Sequence, residues 1–219
     1  MSQTKIAVIT GANKGLGLSL VHEFEQAGWQ VIGTGRSPRV TDMPKAVAYA
    51  QFDASDAVAS ASFWADLKQK YPDPQEVCLV NNAGGYIGGS LVETKPEGYA
   101  QQMQSCYFTS VYMTRGLALQ YLRARIINII SSSALAAHKN NSAYGAAKAA
   151  EMHFFQSLQH EFKPEKYQIT NLYPSDIASY SYREDAMSAK ELSGFVREIA
   201  QNTKSYYLRD VTMYPRAAE

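Results

Sequence analysis

The chain has 219 residues, 46% hydrophobic and 19% charged, with a formal net charge of +1. That length fits one domain with its own core, and so small a net charge leaves no strong field for nucleic acid or an anionic membrane surface. Cys78 and Cys106 lack paired spacing and a histidine neighbour, so neither a disulfide framework nor a zinc or other metal site is indicated, and a reducing, cytoplasmic setting fits. No segment approaches the roughly 20 apolar residues of a membrane-spanning helix.

In chain order, strand-like apolar runs fall at 5–10, 30–34, 46–52, 76–81, 124–130, 168–173 and 207–214. Most are continuous rather than alternating, as in parallel strands covered on both faces. Segments with helical periodicity separate them: 15–28, 55–71, 97–122, 142–162 and 188–201. Strand followed by helix, repeated, predicts an α/β fold: one doubly wound, parallel seven-stranded sheet with right-handed crossovers, occupying residues 1–219 as a single domain. The long helical segments at 97–122 and 143–163 carry more apolar residues than one buried stripe needs. Either they are core helices or they pair with a second copy of the chain.

The first strand ends in TGANKGLG, Thr10 to Gly17. Gly11 permits a turn closed to other residues, while Gly15 and Gly17 allow close approach to the helix start, whose free N–H groups attract anions. This is a pyrophosphate cradle. Farther on, SAYGAAK places Tyr144 and Lys148 four residues apart, on one helix face. With 15 tyrosines and 12 lysines in the chain, chance alone gives about one such pair, so the spacing carries no function by itself.

The order of further motifs does. NNAG (81–84) follows the fourth strand, Ser131 the fifth, and YPSDIAS (173–179) the sixth. Each stands where a doubly wound sheet places its ligand, at a strand's carboxyl end. Together with the glycine loop, these residues resemble the short-chain dehydrogenase/reductase family over nearly the whole chain. The resemblance implies a Rossmann fold binding a nicotinamide dinucleotide. Cofactor contacts would come from Gly11, Asn13, Lys14, Gly15, Leu16 and Gly17, then Arg36, Ser37 and Asp53. Asn82, Ala83 and Gly84 follow, and finally Tyr144, Lys148, Pro174, Ser175, Ile177 and Ser179. The second strand ends in Gly35 and Arg36 with no acidic residue, and Arg36 with Lys14 can hold a 2′-phosphate, which favours NADP(H).

The resemblance also implies roles at the reacting centre. Tyr144 passes a proton to the substrate oxygen, Ser131 orients that oxygen, and Lys148 holds the nicotinamide ribose. A nearby ammonium and an oxidised nicotinamide both favour phenolate, so Lys148 and the cofactor are expected to lower the pKa of Tyr144 from about 10. Ser132 and Ser133 compete for the orienting role, but Ser131 has the family spacing to Tyr144. Expected pocket walls are Tyr86, Leu135, His138 and a short lid at about 180–186 with Arg183.

Two departures from the family pattern stand out. Cys106 occupies the position of an asparagine that connects the lysine to solvent through water, so the proton supply to Lys148 is in question. It could instead come through backbone and water, or through Ser105; slow turnover and a reactive thiol are the remaining readings. Ser175 replaces a glycine after Pro174 and costs backbone freedom. The reading is an NADPH-dependent carbonyl reductase, or the reverse alcohol dehydrogenase, acting on a small molecule as a homodimer or homotetramer. The rival is an NADP-binding regulatory or scaffold protein whose catalysis has weakened.

Overall fold

The computed structural model describes residues 4–177 and 186–216. The apolar runs become β1 (Lys5–Thr10), β2 (Gln30–Gly35), β3 (Ala48–Gln51), β4 (Glu76–Asn81), β5 (Ala124–Ile129), β6 (Tyr167–Pro174) and β7 (Asp210–Met213). They form one seven-stranded sheet in the order β3-β2-β1-β4-β5-β6-β7, with every neighbouring pair parallel. The order reverses between β1 and β4, which opens a crevice at the carboxyl ends of those strands.

The helices are α1 (Gly15–Gln26), α2 (Ala57–Lys70), α3 (Pro96–Met103), α4 (Thr109–Gln120), α5 (Ser142–Glu161) and α6 (Ala189–Ala200). Successive strand residues face opposite sides, so Ala7 and Ile9 pack with Leu20 and Phe24 of α1 and Val196 of α6. Ile6 and Val8 pack with Trp64 of α2, Met113 of α4 and Phe155 of α5. No helix among the described residues is long and apolar enough to cross a membrane.

The segment expected as one helix over 97–122 is interrupted. Between α3 and α4, Gln104–Phe108 forms a π-helical turn. The backbone N–H of Thr109 reaches the Gln104 carbonyl, and its hydroxyl donates to the same oxygen at 3.1 Å. A turn widened by one residue leaves the side-chain pattern helical, so periodicity does not reveal it; such turns recur at functional sites. Cys106 lies inside it, fully buried.

A polar ladder crosses four adjacent strands. Asn81, Asn128, Asn171 and Asp210 are cross-strand neighbours on β4 to β7. Asn81 donates to Asn128 at 2.9 Å, Asn128 to Asn171 at 2.8 Å and Asn171 to Asp210 at 3.1 Å. Buried amides are costly unless bonded, so this ladder favours one alignment.

Candidate active site

The glycine loop closes on the strand beside it. Gly11 has φ +66° and Gly15 φ +52°, in the left-handed region that favours glycine. A Cβ on Gly17 would lie 2.0 Å from the Gly11 carbonyl oxygen, so only glycine lets the loop fold over the start of α1. Lys14 caps that helix with extended backbone and without a side-chain hydrogen bond. The first-turn N–H groups therefore remain free of a side-chain acceptor, and such a helix start takes an anion. Leu16 is wholly buried, which leaves only its backbone for a ligand.

Thr10 ties the loop to β4. Its hydroxyl accepts from the N–H groups of Asn82 and Ala83, both at 2.9 Å, and donates to the Val80 carbonyl at 3.3 Å. The Asn82 amide donates to the Thr10 carbonyl at 2.9 Å and the Gly11 carbonyl at 3.3 Å. The Asn82 side chain thus holds the cradle's shape, and Gly84 stands exposed beyond it.

At the end of β2, the amide nitrogen of Asn13 bonds protein, and its side-chain oxygen has no protein partner. Its amide donates to the carbonyls of Ser37 (3.1 Å) and Pro38 (2.8 Å) and to the Tyr49 hydroxyl (2.7 Å). Tyr49 in turn donates to the Ser37 carbonyl at 2.7 Å. Tyr49, on β3, was not among the sequence candidates; nothing in the spacing marks it. Lys14 and Arg36 are both exposed, at neighbouring strand ends. Asp53 uses one carboxylate oxygen to accept from the Ser55 N–H and hydroxyl and is otherwise exposed.

Ser131, Tyr144 and Lys148 meet at the carboxyl end of β5. Ser131 is nearly buried, and its hydroxyl accepts from the Ser133 N–H at 3.1 Å. Ser133 is itself held by the Asn141 amide at 3.1 Å, so the three serines differ in surroundings. The Lys148 ammonium lies 6.0 Å from the centre of the Tyr144 ring. It donates to the Ile129 carbonyl at 3.1 Å and to Glu151 at 2.7 Å, which leaves one of its three donors available.

The Lys148 charge lowers the Tyr144 pKa, as expected, but among this chain's own groups it does not decide the net direction. Burial raises the pKa more than the Lys148 charge and the neighbouring Ser131 hydroxyl lower it, and Cys106 and Glu151 add to the rise. The Coulombic half of the balance could be read from spacing; desolvation could not. For Lys148, burial alone would favour the neutral amine, but Glu151, Cys106 and Tyr144 together raise its pKa and keep it charged.

Cys106 sits next to this group. Its sulfur accepts from the Gln102 amide at 3.0 Å and lies 3.6 Å from the Gly85 carbonyl. Gln102, one helical turn earlier and fully buried, also donates to the Gly85 carbonyl and accepts from the Ile87 N–H, both at 2.7 Å. A side-chain amide from α3 thereby holds the loop after β4. Gln102, like Glu151, was missed, although each has helical spacing to a singled-out residue.

Pro174, the last residue of β6, is buried, and beyond it Ile177 pairs with Met187. Ser175 donates its N–H to the Met213 carbonyl at 2.8 Å. Among the described non-glycine residues only Asn140 has positive φ. Ser175 thus stands where glycine was expected without a left-handed backbone. Ser179, Arg183 and all of the expected lid before Ala186 lie outside the described residues. Of the other expected walls, Tyr86 sets its ring edge-on to Tyr144 at 5.2 Å, while Leu135 and His138 are exposed.

The family model for short chain dehydrogenases matches residues 5–189. The chain belongs to the short-chain dehydrogenase family. Members of this family are nicotinamide-dependent oxidoreductases. An uncharacterized short-chain type dehydrogenase/reductase of Sinorhizobium fredii is 28% identical over 190 residues, 84% of this chain and 74% of that protein. The NADPH-dependent 1-acyldihydroxyacetone phosphate reductase of Schizosaccharomyces pombe is 27% identical over 177 residues, 78% of this chain and 60% of its own length. The chain spans about three fifths of the length of several such relatives. In fold it is similar to the alcohol dehydrogenase from Thermococcus sibiricus complexed with 5-hydroxy-NADP. The TM-score is 0.87 at 18% identity, covering 99% of this chain and 100% of that one.

Proposed function

We propose that this chain is an NADPH-dependent carbonyl reductase, or the reverse alcohol dehydrogenase, with the cofactor and substrate sites in one domain. The observation that carries the reading is the convergence of Ser131, Tyr144 and Lys148 beside the loop after β4, in the crevice that also holds the glycine cradle. The positive φ of Gly11 and Gly15 and the uncapped start of α1 fit the pyrophosphate of a dinucleotide.

In this reading the N–H groups at Gly15 to Gly17 take the pyrophosphate, Lys14 and Arg36 take the 2′-phosphate, and Asp53 takes the adenine amino group. Two exposed cations and no acid at the end of β2 favour NADP(H). The NADPH-dependent relative and the structural neighbour bound to 5-hydroxy-NADP lend this support. The free Lys148 donor takes the nicotinamide ribose, and Ser175 and Ile177 border the nicotinamide. When bound, NADPH supplies the hydride.

The chain's own residues handle the proton. Ser131 and Tyr144 bond the carbonyl oxygen and orient it, and the Tyr144 proton passes to that oxygen as it becomes a hydroxyl. Tyr86 at the mouth favours an apolar or ring-bearing carbonyl. Half-buried aromatics on the π turn, α4 and α5, including Tyr107, Tyr112 and Phe154, support assembly into a homodimer or homotetramer.

The test is NADPH oxidation against a panel of aldehydes and ketones. The wild-type protein consumes NADPH with at least one carbonyl, while Tyr144→Phe still binds NADPH and loses turnover by about 1,000-fold. Binding without turnover on any carbonyl would establish the regulatory reading instead.

A further inference from the structure

The charged group most thoroughly buried in the described structure is not one that the proposed reaction requires. Glu151 has no exposed surface, and its side chain ends in two charge-assisted bonds. One oxygen accepts from the Lys148 ammonium at 2.7 Å, and the other accepts from the Ser110 hydroxyl at 2.6 Å. Ser110, on α4, is itself 1% exposed. Glu151 follows Lys148 by one helical turn, so the pair shares a face of α5, and Ser110 closes the arrangement from the neighbouring helix. A carboxylate at such a site is expensive and persists only when fully bonded.

We propose that Glu151, buttressed by Ser110, is a positioning residue that pins the Lys148 ammonium and holds the Tyr144–Lys148 pair in its proton-donating form. This rests on the reading of Tyr144 as proton donor. The charged and titratable groups facing Lys148 are Tyr144 and Glu151 from α5 and Cys106 from the π turn; the Ile129 carbonyl adds a dipole from β5. Glu151 is the one carboxylate of this set. With it present, the cluster of neutral Tyr144, ammonium and carboxylate has no net charge. Losing a proton then creates an uncompensated negative charge in a buried place. Without the carboxylate, the same loss only neutralises a positive cluster. Whether the proton leaves Tyr144 or Lys148, it leaves at lower pH once the Glu151 charge is gone. Because a carbonyl must receive a proton and an alcohol must give one up, Glu151 tilts the site towards reduction at neutral pH. The burial and the Glu151 charge that raise the Tyr144 pKa act in the same direction.

The experiment compares the wild-type protein with Glu151→Gln, which keeps the hydrogen-bonding shape and removes the charge, and Glu151→Asp, which keeps the charge. NMR of isotope-labelled tyrosine, with the Tyr144 signal assigned through Tyr144→Phe, follows ionisation without cofactor or turnover. Fluorescence titration follows NADPH binding, and kcat/KM for carbonyl reduction is measured against pH. In Glu151→Gln, the cluster's titration is expected to move to lower pH by roughly 0.5–1 unit, the alkaline limb of kcat/KM is expected to move with it, and NADPH still binds at neutral pH. Glu151→Asp stays near the wild type. Unchanged titration and an unchanged alkaline limb in Glu151→Gln, with only a lower melting temperature, would reduce Glu151 to a structural residue. If Glu151→Gln does not fold, Ser110→Ala decides, because it removes the hydroxyl that buttresses the carboxylate: a cluster titration displaced from the wild type supports the proposal and an unchanged one overturns it. A wild type that binds NADPH but reduces nothing overturns the reductase reading, and the NMR titration still decides the role of Glu151.

Discussion

Gly17→Ala tests the cradle with one methyl group. The new Cβ would lie 2.0 Å from the Gly11 carbonyl oxygen and 2.7 Å from the Asn82 amide, against an ordinary contact of at least 3.4 Å. The shortfall to backbone is therefore about 1.4 Å, and no side-chain rotation relieves it. Either the glycine loop lifts off α1 or α1 retreats, and the Asn82 bond to Gly11 is strained in both cases. Losing one N–H bond to the charged pyrophosphate costs about 1.5–3 kcal/mol, so NADPH affinity should fall by about 10- to 100-fold. Overpacking should also cost about 1–3 kcal/mol of stability. Gly194→Ala is the control, because nothing lies within 4 Å of its added Cβ; in α6 it should stabilise by about 0.5–1 kcal/mol and leave binding unchanged. Fluorescence titration with NADPH and thermal melting read both effects. Wild-type NADPH affinity in Gly17→Ala would refute the cradle.

Arg36→Asp should weaken NADPH binding by about 10- to 100-fold and reverse the preference towards NADH; an unchanged ratio of the two affinities would remove Arg36 from the site. Lys148→Met should abolish turnover and cost about 3–5 kcal/mol, because Glu151 would then be a buried charge held by Ser110 alone. Chemical denaturation of Lys148→Met/Glu151→Leu should recover most of that loss without activity, and a double variant no more stable than the single one contradicts this. Burial, with Tyr71 adding, pushes the Tyr121 phenol up to about 12, and burial raises Tyr167 as well. The unfolded phenols ionise near pH ~10, so this stability is intact below pH ~10 and is lost as pH rises from there towards ~12. Melting temperature should fall across that window and fall less steeply in Tyr121→Phe; parallel curves would contradict the assignment.

The sheet could be read from sequence because buried parallel strands cannot alternate. Ile6 to Ile9 and Val77 to Val80 are apolar on both faces, and that pattern leaves few alternatives. The π turn at Gln104–Phe108 could not be read, because one widened turn keeps residues such as Met103 and Cys106 within a helical rhythm. At the site, Ser131, Tyr144 and Lys148 were readable through order and spacing. Glu151 was not, since a glutamate in a helix ordinarily signals a solvated face, and only the packing of α4 against α5 shows it buried. Asn13 was assigned to a ligand; its amide nitrogen spans the gap to Ser37, Pro38 and Tyr49, residues distant in sequence, while its side-chain oxygen has no protein partner. The net rise at Tyr144 from the chain's own groups could not be read for a related reason: the charge of Lys148 is local, whereas burial is set by the whole fold.

The central claim is that a nicotinamide cofactor in the glycine cradle presents its reactive end to Tyr144 and Ser131. A crystal structure with NADP+ tests it most directly. The account predicts the pyrophosphate on the N–H groups at Gly15 to Gly17, the 2′-phosphate at Arg36 and Lys14, and the nicotinamide ribose on Lys148, with the ring facing the Tyr144 hydroxyl. An empty cradle at saturating NADP+, or a nicotinamide directed away from Tyr144, would contradict it.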